Sequence, residues 1–118
     1  MSFRILSISY DAMLLQTRQH LLEKEGFSVV SAEGFAEALE RCGAGRFDLV
    51  VMGHSIPHKD KEALLRVVNE QCPVPVIALL RGGEPPLSGA AESVDPMDPR
   101  RFVEVVHRVA QTNTQSSG

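Results

Sequence analysis

The chain contains no tryptophan and a single tyrosine, Tyr10. It therefore offers no aromatic platform on which the bases of a single strand could stack. Excess positive charge is also missing. Twelve Lys and Arg stand against 15 Asp and Glu, for a net charge of −3, so the basic footprint of a nucleic-acid binder is absent and nucleic acid is not an expected partner. Cysteine is scarce. Cys42 and Cys72 cannot by themselves build a disulfide framework or a four-ligand zinc site, and the expectation is two reduced thiols near helix ends. No apolar run approaches the roughly 18 residues of a membrane span. The opening Met1-Ser2-Phe3-Arg4 does not read as a signal peptide. A cytoplasmic protein without a membrane partner is expected.

What remains is ordinary globular material. Hydrophobic residues make up 43% and charged residues 23% of 118, enough for one domain with a hydrophobic core of its own. Short apolar runs alternate with amphipathic stretches. Residues 4–9 read as a strand. Residues 11–25 read as a helix with Leu14, Leu15, Leu21 and Leu22 on one stripe, charges opposite, and Gly26 as its stop. A strand at 28–32 precedes a short helix from Phe35 to about Gly43. The run 47–52 is almost wholly apolar, as suits a central strand covered on both faces. A loop over 54–59 contains Pro57, and Asp60 is placed to cap the next helix, whose buried face holds Leu64, Leu65, Val67 and Val68. Residues 74–80 form another apolar strand. Residues 81–89, with two glycines and two adjacent prolines before Gly89, read as a loop. Ser93-Val94 is a minimal edge strand. Pro99 opens the last helix, with Phe102, Val105, Val106 and Val109 on one face. The domain is expected over residues 1–110, with 111–118 a polar, disordered tail.

Strands alternating with helices predict parallel βαβ units. For this length the expected architecture is α/β: a flavodoxin-like, doubly wound, five-stranded parallel sheet in the order 2-1-3-4-5. In such a sheet the chemistry lies just beyond the carboxyl ends of the strands.

With these phrases in order, the sequence resembles the receiver domains of two-component response regulators. The likeness is carried by Arg4-Ile5-Leu6, the stretch 21–27, the run 47–52, Pro57, residues 75–79 and Asp98-Pro99-Arg100-Arg101-Phe102, and spans about residues 4–110. The resemblance implies a magnesium-binding acidic pair after the first strand and a phosphoacceptor aspartate after the third. It further implies a switch hydroxyl after the fourth strand and a lysine after the fifth. The chemistry asks for each type: a hard cation takes oxygen ligands, a carboxylate is the nucleophile, and a cation stabilises the transferring group. The corresponding positions here are Ser9 and Tyr10, Gly53, Leu80 and Asp95. None has the required chemistry. Asp95 reverses the charge of the lysine, and the family's aromatic switch residue falls on Glu92. The expectation is a degenerate receiver that has lost Mg2+ binding and aspartyl phosphorylation, is not an enzyme and needs no cofactor.

A second departure is length. Only 14 residues separate Leu80 from Asp95, so the family's fourth helix is expected to be shortened or missing. That helix belongs to a common dimer face of the family, so the usual dimer is not assumed.

Sharper site readings compete with plain ones. His54 and His58 are four apart, but Pro57 places them on a loop rather than on one helix face, so they read as polar loop residues more than as metal ligands. Arg81-Gly82-Gly83 could form an anion nest, against which Glu84 would count. The Tyr10 ring could fill the ion's place with its hydroxyl on Asp95. Asp11 is the one candidate for a relocated acceptor. Three functions compete: an interaction module binding a sensor kinase, another regulator or a scaffold; a small-ligand sensor using the strand-end cleft; and a receiver with a relocated acceptor. An open cleft with convergent polar groups favours the sensor, and a cleft plugged by Tyr10 and Leu80 favours the interaction module.

Overall fold

Five strands and four helices alternate along the chain in the computed structural model, which describes residues 3–117, with side chains to residue 112. Met1, Ser2 and Gly118 lie outside the described residues. The strands are β1 (Arg4–Ser9), β2 (Ser28–Glu33), β3 (Leu49–Met52), β4 (Val76–Leu79) and β5 (Glu92–Val94). The helices are α1 (Ala12–Lys24), α2 (Phe35–Ala44), α3 (His58–Gln71) and α4 (Pro99–Ser117). The sheet order is β2-β1-β3-β4-β5 and every pairing is parallel. The chain between β4 and β5 holds no helix, as expected for a stretch rich in Gly and Pro. α4 continues through 111–117, into the segment expected as a tail.

The alternation of side chains along each strand divides the core in two. Leu6, Ile8, Val50, Met52 and Ala78 face α2 and α3, while Ile5, Leu49, Val51, Ile77 and Leu79 face α1 and α4. The apolar run in β3 is thus explained by helices on both faces. Helix ends follow local chemistry. Asp11 caps α1, its side chain accepting from the N–H groups of Met13 and Leu14. Gly26, at φ 95°, turns the chain out of α1 in a left-handed conformation that favours glycine.

Three expectations need correction here. The buried stripe of α1 is Leu15, Arg18 and Leu22, so one of the charges lies inward rather than opposite. α3 begins at His58 with Pro57 at its cap position, and Asp60 lies in the first turn without capping it. Cys42 and Cys72 are not two separate thiols. They form a disulfide, Cα atoms 6.1 Å apart, because α2 and α3 pack side by side and bring their carboxyl ends together.

Candidate functional site

Ser9 ends β1 and Tyr10 follows it, while Gly53, Leu80 and Asp95 immediately follow β3, β4 and β5. The topology therefore gathers all five positions along one edge of the sheet. Their side chains do different things there.

Next to β1, hydroxyl groups satisfy one another. The Ser9 and Ser55 hydroxyls are 2.8 Å apart, Ser55 Oγ accepts from the Tyr10 backbone N–H, and Ser9 Oγ accepts from that of Asp11. The Tyr10 hydroxyl donates to Asp60 at 2.7 Å. It does not reach Asp95, which is exposed and accepts from the Met97 N–H. Asp60, in the first turn of α3, is the carboxylate that the Tyr10 hydroxyl reaches, whereas Asp95 follows the far edge strand. Burial pushes the Tyr10 phenol above its ordinary value, and the Asp60 carboxylate raises it further.

Gly53 lies against Arg18. A Cβ at position 53 would lie 3.0 Å from Arg18 Nη1 and 3.1 Å from the Ile8 carbonyl oxygen. Arg18 projects from α1 into the sheet edge and is only 7% exposed. Its Nη1 is buried with no hydrogen-bond partner among the described residues. Burial lowers its pKa from 12.5 to about 10, which leaves it charged at neutral pH. Taking such a charge out of water without a partner costs several kcal/mol. His54 is next to it, its Nδ1 also buried and unpartnered. Burial, then the charges of Arg18, Arg81 and Lys61, lower its pKa, so the ring is neutral at pH 7. Arg18, His54, Leu14, Leu79 and Phe102 border a cavity of about 150 Å³.

On the other side, the loop after β4 is fastened by a fully buried lysine. Lys61 Nζ donates to both carboxylate oxygens of Glu84 at 2.8 Å. The Arg81 N–H donates to Glu84 Oε1, and His58 Nδ1 lies 2.9 Å from Oε2. Burial alone would push the Glu84 carboxyl up, but Lys61, the Arg81 N–H and His58 outweigh it and hold its pKa at about 2. The Arg81 backbone N–H considered as an anion nest is thus filled by the chain's own carboxylate. The Arg81 side chain reaches back to donate to the carbonyls of His54 and Ser55. Leu80 is half-buried on the α2/α3 side of the sheet.

Sequence reasoning missed Arg18, Lys61 and Glu84. A cation on an amphipathic helix reads as solvent-facing, and Glu84 sits in a loop far from Lys61 in sequence. A signal existed for both cations: Arg18 falls three residues after Leu15 and four before Leu22, and Lys61 falls three before Leu64 and four before Leu65, each within its helix's stripe. The histidines do not converge: His58 is on Glu84, while His54 is beside Arg18. Among the described residues no group of three or more His, Cys, Asp or Glu is arranged to hold a metal ion, and no helix is long and apolar enough to cross a membrane.

No protein-family model matches the chain. Over 91 residues it is 29% identical to the transcriptional regulatory protein CseB of Streptomyces avermitilis, a match covering 77% of this chain and 35% of that protein. The chain thus spans about a third of that relative's length. Its fold is strongly similar to that of CheY-like response-regulator receiver domains. A receiver domain protein from Methanospirillum hungatei superposes with a TM-score of 0.85 over 98% of this chain and 99% of that one, at 22% identity. The receiver domain of a putative LuxO repressor from Vibrio parahaemolyticus gives 0.85 over 99% and 96%, at 17% identity.

Proposed function

We propose that this chain, which has the fold of a response-regulator receiver domain, is a signalling module that neither binds Mg2+ nor accepts a phosphoryl group. It acts through contact with a protein partner: a sensor kinase, another regulator or a scaffold. One observation carries the reading. Arg18 occupies the space into which a side chain at position 53 would project, so the place expected for an acceptor carboxylate holds a cation instead. The remaining residues do not fit a magnesium ion, whose ligands are oxygens with at least one carboxylate among them. The Ser9 hydroxyl is engaged with Ser55 and that of Tyr10 with Asp60, and Asp11 is spent on capping α1. Asp11 is therefore also unsuited to be a relocated acceptor. No residue is assigned a catalytic step. A cytoplasmic location goes with this reading. The reducing environment there would open the Cys42–Cys72 bond, and α2 packed on α3 would keep both sulfurs buried without it.

The test is amide NMR of labelled protein with Mg2+ and beryllofluoride, a phosphoryl mimic. No shifts are expected around residues 9–11, 53, 80 and 95. Saturable shifts there would overturn the proposal. A second reading, a small-ligand sensor, is favoured by the cavity beside Arg18, between α1 and α4.

A further inference from the structure

The Arg18 guanidinium is the least satisfied charged group at the sheet edge. Its side chain is more than nine-tenths buried, it has no ion pair among the described residues, and Nη1 lacks any hydrogen-bond partner. A guanidinium is a planar fork of donors that matches a carboxylate bidentately. Arg18 lines the cavity between α1 and α4 at the carboxyl ends of β3 and β4. The acidic side chain whose charge reaches His54 in this corner is Asp11, and its Oδ1 is already taken by two backbone N–H groups. Among the described residues lining the cavity, Arg18 is the charged group and no carboxylate is present.

The walls define the rest of the ligand. Apart from Arg18, Thr17 and His54, the lining is apolar, with Leu14, Leu79 and Phe102 among it. At about 150 Å³ the space is that of a benzene-sized body. An inorganic oxyanion would pair with Arg18 and leave these walls bare. A neutral hydrocarbon would fill the walls and leave the charge unpaired. We propose that the cavity binds a small organic monocarboxylate, its carboxylate paired with Arg18 and its compact apolar body packed against Leu14, Leu79 and Phe102. This deepens the ligand-sensor reading and does not depend on whether phosphorylation has been lost.

The probe is sodium benzoate, titrated into the isotope-labelled full chain at pH 7 without Mg2+ or beryllofluoride, so failure here leaves the phosphorylation-independent reading standing. Affinity for so small a ligand is expected on the order of millimolar. Saturable amide shifts are expected at residues 14, 17, 18, 54, 79 and 102. Benzyl alcohol, which has the body without the charge, and inorganic phosphate, which has charge without the body, are each expected to bind at least tenfold more weakly. Arg18→Met fills the same space without a buried charge and should fold, with benzoate affinity reduced at least tenfold. Arg18→Lys keeps the charge, loses the fork and should weaken binding by less. The proposal is overturned by the absence of saturable benzoate shifts, by shifts confined elsewhere, by equal binding of either comparator, or by undiminished binding to folded Arg18→Met.

Discussion

Replacing Glu84 with Gln tests how a loop that has lost its helix is held in place. Glu84 is 8% exposed at its side chain and bonded to a fully buried Lys61. Its carboxyl has an ordinary pKa of 4.5 and is held at about 2 in the folded chain. At 1.36 kcal/mol per pKa unit, that difference is worth about 3 kcal/mol. A second route gives a similar figure: removing one partner of a buried ion pair costs about 3–5 kcal/mol, because the other charge is left uncompensated. Against a total stability of about 5–15 kcal/mol for a small domain, the loss is large. Because the folded pKa is depressed, the contribution is complete above the unfolded value of 4.5 and is lost as pH falls through about 2. Urea unfolding of Glu84→Gln should show a midpoint lower by about 1.5 M at pH 7, taking a slope of about 2 kcal/mol/M. The gap to the parent should narrow steadily below pH 4.5. A deficit under about 1 kcal/mol, or one that is the same at pH 7 and at pH 3, would refute the role given to Glu84.

Tyr10 is the sole tyrosine and no tryptophan is present, so absorbance at the phenolate band reports this one hydroxyl. Its ionisation should begin above the ordinary value of 10; the stability carried by its bond to Asp60 is complete below pH 10 and is lost as pH rises further. Tyr10→Phe should cost about 1 kcal/mol in urea unfolding, the net worth of one hydrogen bond, and an unshifted phenol titration would contradict the Tyr10–Asp60 contact. The Cys42–Cys72 bond joins residues 30 apart in sequence, and a crosslink of that span contributes about 3.6 kcal/mol. Reductant should therefore lower the urea midpoint of air-oxidised protein, and equal midpoints with and without it would mean that the sulfurs are not joined.

Most of the architecture was legible because it rests on local periodicity. The alternation of apolar strands with amphipathic helices, the apolar run of β3, Gly26 as a helix stop and the helix-poor stretch after β4 are each a property of a few adjacent residues. The five strand-end positions came instead from the resemblance to receiver domains, laid onto strand ends that the sequence makes visible. The interactions around those positions were less legible. Tyr10 meets Asp60 rather than Asp95, Lys61 meets Glu84, and Cys42 meets Cys72. Each pair joins residues on different elements, far apart along the chain.

The residue order thus determined strands, helices and the sheet edge where they converge, because hydrophobic spacing and turn chemistry act over one or two turns of chain. Only the packing of α1 onto β1 and β2, with β3 paired beside β1, decided that Arg18 lies against Gly53. A side chain long enough to cross from a helix to a strand end finds its environment in the distance and angle between those elements. That geometry arises when the two faces of the sheet are covered, and no window of neighbouring residues contains it.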